Sequence, residues 1–202
     1  MRILPLLLVA LLAPTAALAE GGRVVAVLED GVRDVTLTHY QAWVAPPEVD
    51  VERVTFSLTD DHLVVQYDVL DLAHRVVPEA QLFGVGTGET SGFFLQARSP
   101  GYSLVGITAL WAPPQTREMA GPHFFLALVG EEGECRSCGE WPELAGEWNV
   151  EEDRVTVLVP RAHFTGDLTH VRVTSWGGRD AAMLRLGDLV PDHAPGPAVP
   201  LR

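Results

Sequence analysis

The chain has 202 residues, 47% of them hydrophobic, and carries 27 acidic against 14 basic side chains for a net charge of −13. That length suits one domain with a substantial core and leaves little room for a second. So acidic a surface repels phosphate backbones and anionic lipids, which argues against nucleic acid or membrane surfaces as partners.

All the basic residues are arginine, and Asn149 is the only asparagine. Codon bias in a GC-rich genome explains this, and selection for heat resistance is the other reading. The absence of lysine excludes Schiff-base and lysine general-base chemistry.

At the start, Met1-Arg2 precedes the apolar run Ile3 to Ala13, then Pro14 and the small-residue end Ala17-Leu18-Ala19. One positive charge, a short apolar core and an A-x-A end make the pattern of a secretory signal peptide over residues 1–19. The run is too short for a membrane span, and no cysteine follows the cut as a lipid anchor would need. The mature chain is expected to begin at Glu20, secreted or periplasmic, with no membrane span left.

From there the periodicity is that of strands. Val24–Leu28 and Val35–Val44 supply one to three. Val54, Phe56 and Leu58 alternate with polar neighbours, and after Thr59-Asp60-Asp61-His62 so do Leu63, Val65, Tyr67 and Val69, the signature of a hairpin with one buried face. Gln81–Gly86, Phe93–Arg98, Leu104–Trp111 and Phe124–Val129 are rich in β-formers, and Arg154–Pro160 and His170–Trp176 alternate again. Residues 160–166 suit one helical turn. The expected fold is all-β: a single antiparallel two-sheet β-sandwich of about nine or ten strands over residues 20–190. Residues 191–202, with four prolines, are expected to trail over the surface as a tail.

Phe93-Phe94 and Phe124-Phe125 are neighbouring rings on strands, so one of each pair enters the core and its neighbour faces outward, under a loop or toward a ligand. Cys135 and Cys138, the only cysteines, form a C-x-x-C whose acidic, glycine-rich surroundings disfavour a thiolate. A small-loop disulfide is the expected role, with a metal half-site and thiol chemistry as alternatives.

Val51–Val69 and Glu152–Phe164 then resemble the opening hairpin and a later strand of secreted β-sandwich domains, and Asp192-His-Ala-Pro195 is similar to their Asp-x-Ala-Pro ending. Together these resemble DOMON-like domains and family-9-like carbohydrate-binding modules over about residues 50–195. The resemblance implies a jelly-roll or immunoglobulin-like sandwich that binds sugar or haem or is a passive module; fold alone does not choose. The haem-binding members use a Met/His-type axial pair, and Met119, Met183 and the histidines offer no convincing match.

Chemistry-bearing motifs are sparse. There is no G-x-S-x-G and no H-E-x-x-H, and the histidines at 39, 62, 74, 123, 163, 170 and 193 are scattered. Asp60, Asp61, Asp68, Asp71 and Glu151-Glu152-Asp153 offer hard oxygens for calcium without a known loop spacing; a solvated acidic turn is the plainer reading. The strongest recognition candidate is aromatic: Trp111, Trp141 and Trp148, with Glu143, Glu147 and Arg136 as planar hydrogen-bond partners. Indoles stack on the C–H faces of sugars, and equally fill gaps between a loop and a sheet. Trp43 and Trp176 read as core strand residues.

The sequence therefore points to an exported, non-catalytic module for carbohydrate or another extracellular ligand, a protein included, with no cofactor called for. The other readings are a haem-binding or electron-transfer domain, a structural envelope protein and a secreted hydrolase.

Overall fold

A computed structural model describes residues 22–30, 50–72, 90–112, 121–135, 142–178, 185–190 and 196–202. The expected leader, the runs at 35–44 and 81–86, Trp43, Trp141, Cys138, Met119 and Met183 lie outside the described residues.

Ten strands are present among the described residues: β1 Arg23–Glu29, β2 Val51–Leu58, β3 His62–Val69, β4 Thr90–Ser99, β5 Tyr102–Ala112, β6 Gly121–Gly130, β7 Ala145–Asn149, β8 Arg154–Pro160, β9 Thr169–Gly178 and β10 Arg185–Val190. They form two five-stranded antiparallel sheets, ordered β1-β2-β3-β8-β7 and β10-β9-β4-β5-β6. The all-β sandwich expected from two-residue alternation is the fold observed.

The alternation explains the packing. Val54, Phe56, Leu63, Val65, Tyr67, Val155, Val157 and Val159 on the first sheet face Phe93, Leu95, Val105, Ile107, Leu126, Val171 and Val173 on the second, all fully buried. Of the paired phenylalanines, Phe93 and Phe124 enter the core while Phe94 and Phe125 lie half-buried on the other face. Phe94 lies over Gly106, where an added Cβ would sit 2.8 Å from its ring. On the first sheet's outer face the row Glu29–Arg53–Asp68–Arg154–Asn149 crosses all five strands. Its ion pairs are Arg53–Glu29 at 3.5 Å and Arg154–Asp68 at 2.8 Å, and the Asp68 hydrogen bond raises the Arg154 pKa.

Turns follow local chemistry. Asp60-Asp61 closes the β2–β3 hairpin, where Thr59 Oγ1 accepts the His62 amide at 3.0 Å. Pro100-Gly101 closes β4–β5 with Gly101 at φ 82, as a type II turn requires. The expected helical turn is a 3-10 turn at Arg161–His163. Arg161 donates to the carbonyls of Thr59, Asp60 and Leu201, joining the hairpin tip to the C-terminal segment.

Two strands carry no alternation visible in the sequence, β7 and β10. β7 is held by its partner: Trp148 pairs with Val155 and Gly146 with Val157. At the facing edge, the Leu144 amide donates to the Phe124 carbonyl and the Leu126 amide to that of Pro142, so the chain runs along β6 before entering β7. The tail also departs from expectation. Residues 196–202 are packed rather than trailing: Gly196 and Val199 donate to Val171 and Leu168 of the β9 side, and Val199 and Leu201 are buried. Its remaining N–H donors and two apolar side chains outweigh the prolines between them.

Candidate functional site

The structure brings together two of the three expected tryptophans. Trp111 ends the inner face of β5, paired with Ser91 and Pro122; Trp148 lies opposite on β7. Their rings are 5.7 Å apart at 50°. Trp148 also meets Phe93 at 5.6 Å, and Phe93 stacks on Tyr67 at 5.3 Å and 20°. Four rings thus run from the centre of the core to one end of the sandwich. Both tryptophans are half-buried, and Trp148 packs against the core. Tyr67 is fully buried and its hydroxyl has no hydrogen-bond partner among the described residues. Desolvation pushes that hydroxyl far above its ordinary pKa.

The two tryptophans at the end of this wall are both partly open. The inner rings fix the outer ones, so a flat ligand meeting Trp111 encounters an aromatic surface with little side-chain entropy left to lose. Of the expected polar neighbours, Glu143 is exposed and bridges Phe125, with its carboxylate 3.9 Å from His123; Glu147 lies on β7, and Arg136 is outside the described residues.

The acidic turns do not converge. Asp60 and Asp61 sit at one end of β3, while Asp68 lies at the other, bonded to Arg154. Asp153, at φ 51, accepts the Leu72 amide at 2.7 Å, and Asn149 caps the amides of Glu151 and Glu152 at 3.1 Å each. These carboxyl and amide oxygens hold the chain itself in shape. Among the described residues no three His, Cys, Asp or Glu side chains gather as metal ligands would. Cys135 forms a bridge with Val129 at the end of β6.

A feature the sequence reading missed lies at the opposite end of the sandwich: an open groove of about 760 Å³, lined among others by Arg98, Tyr102, Ser103, Glu131, Thr169 and Arg202. Two bulges frame it. On β5 the pairings Tyr102↔Gly130 and Leu104↔Val129 leave Ser103 as the extra residue, and its hydroxyl donates to the Gly130 carbonyl at 2.7 Å. On β9 the register shifts between Gln96↔Arg172 and Arg98↔Thr169, with His170 in the left-handed region at φ 54. Bulges re-aim side chains at strand ends, and left-handed non-glycine residues store backbone strain. Ser99 closes the floor through its hydroxyl, which donates to the Gly166 carbonyl at 3.2 Å. No spacing in the sequence announces this groove, because strand pairing brings residues 98, 131, 169 and 202 together.

No helix among the described residues is long and apolar enough to cross a membrane. Compared with known proteins, the chain matches no protein-family model, no curated protein and no solved structure, so the functional reading rests on its own residues.

Proposed function

We propose that this chain is an exported, non-catalytic binding module whose ligand is a carbohydrate, taken at the Trp111 end of the sandwich. The observation that supports this reading is the Trp111–Trp148 pair, its rings 5.7 Å apart and backed by Phe93 and Tyr67. A braced, half-open aromatic pair at the end of a rigid double sheet offers the flat face that a sugar ring's C–H surface requires. The signal-peptide pattern at residues 1–19 and the resemblance to DOMON-like and carbohydrate-binding sandwich domains point the same way. In an oxidising compartment Cys135 and Cys138 form a local disulfide.

The test is tryptophan fluorescence of the mature protein titrated with a panel of soluble oligosaccharides. At least one should quench or shift the emission saturably, and Trp111→Ala should remove that response while leaving the thermal midpoint near that of the parent. Trp148→Ala is the weaker probe because it also opens the core. A panel without any saturable response, or a Trp111→Ala variant that binds like the parent, overturns the proposal.

A further inference from the structure

In a chain with about two acids for every arginine, each guanidinium has carboxylates to choose from. Among the described side chains, Arg53 and Arg154 are ion-paired, and Arg23 and Arg161 donate to backbone carbonyls. The guanidinium groups of Arg98 on β4, Arg172 on β9 and Arg202 in the C-terminal segment have no partner among the described residues. Arg98 and Arg202 line the bulge-framed groove. Arg172 is one rung along, paired with Gln96 where Arg98 pairs with Thr169. The Arg172 Nε is buried with no hydrogen-bond partner. A buried donor left unmet costs stability, and this one lies on β9 opposite Gln96, two residues along β4 from Arg98.

We infer that this corner is a second binding site, taking an oxyanion-bearing saccharide: a sugar carrying a carboxylate or a sulfate ester. A guanidinium presents N–H groups in a fork that matches either oxyanion, and two forks at one groove hold it in a defined orientation. Two acids, Glu131 and Asp167, share the lining with Arg98 and Arg202, so the charged side chains of the groove balance, in a chain that is acidic as a whole. Asp167 is committed to the Leu201 amide at 3.0 Å. Glu131, exposed and unpaired, accepts hydrogen bonds from sugar hydroxyls, and the half-buried Tyr102 offers a ring flank. The groove's volume is that of a small-ligand site. The inference extends the saccharide reading to a separate site and does not use the tryptophan pair.

Calorimetric titration of the full mature chain tests it with four probes: a short uronate oligosaccharide, a sulfated oligosaccharide, a neutral oligosaccharide of the same length, and inorganic sulfate. At least one acidic saccharide should bind more tightly than the neutral one and lose affinity as salt rises, and the preferred acidic probe identifies the oxyanion. Arg98→Ala should weaken that binding by about tenfold or more. Arg98→Lys should recover only part of it, and Trp111→Ala should leave it unchanged. Arg98 is exposed, so its variants should melt with the parent. Three results would overturn the inference: acidic probes binding no better than the neutral one, Arg98→Ala binding like the parent, or inorganic sulfate alone matching the acidic saccharide. Loss of acidic-sugar binding in Trp111→Ala but not in Arg98→Ala would sink this site and leave the tryptophan site standing.

Discussion

Tyr67→Phe isolates one atom of the core. The Tyr67 side chain is wholly buried, its ring stacks on Phe93 at 5.3 Å, and its hydroxyl meets no acceptor among the described residues. An unmet buried hydroxyl costs about 1–3 kcal/mol, whereas an apolar replacement of the same shape keeps the packing. Loss of one oxygen leaves a small void that returns part of the gain, so the substitution should stabilise by about 1 kcal/mol. In a chain of this size that raises the thermal midpoint by about 2–4 °C. In urea it should move the midpoint without changing the slope. The alkaline limb adds an independent readout. Burial raises the folded-state pKa above the unfolded value, so the tyrosine's contribution is fully present below the unfolded pKa and is lost as pH climbs from there toward the folded one. The parent should therefore weaken above the ordinary tyrosine pKa, and Tyr67→Phe should lose less. A Tyr67→Phe protein less stable than the parent by about 1 kcal/mol would refute the reasoning, since it would mean that the hydroxyl is held by a partner.

Gly146→Ala should destabilise by about 1–3 kcal/mol in urea unfolding, because the new Cβ would lie 2.7 Å from the Thr156 carbonyl oxygen and 2.8 Å from the Phe124 ring. An unchanged midpoint would mean that the β6–β7 edge is looser than described. Val199→Asp should destabilise the fold by several kcal/mol by forcing a carboxylate into a fully buried position, and should expose residues 196–202 to limited proteolysis. Wild-type stability in that variant would return the tail to the surface. Asp68→Asn, by contrast, should cost about 1 kcal/mol or less, since the Arg154 and Asp68 side chains remain 37% and 21% exposed.

How far the fold was legible depends on what sets each strand. β2, β3 and β8 carry their own alternation, and every residue expected inward on them is buried. Alternation did not mark Val64 and Leu158, which pair on the outer face of the same sheet yet are also buried. β7 reads Ala-Gly-Glu-Trp-Asn, with no apolar rhythm; it becomes a strand because β8 offers it a ladder. The tryptophans show the same limit at the candidate site. The sequence groups Trp148 with the platform by its nearness to the cysteine loop; pairing with Val155 also packs it against the core, while it and Trp111 both stay half-buried. The arginine groove was not legible at all, since its residues come from three strands, the turns beside them and the C-terminal segment.

The two candidate sites share a strand, which constrains how they can cooperate. β5 carries Tyr102 at the groove and Trp111 at the aromatic end, nine positions apart, or about 30 Å along an extended chain. Between them Val105, Ile107 and Ala109 are fully buried and packed from both sides. Perturbations this far apart, with no shared partner, are expected to add. On the two proposals, cooperation between the ends would come from the ligand: a short oligosaccharide would engage one site, while a polymer long enough to span the strand would gain avidity from both. That gain is set by effective concentration, with no new contact required. A rigid double sheet with a different recognition chemistry at each end is suited to holding a long chain along its length, a task that needs stiffness between the sites more than closure around either.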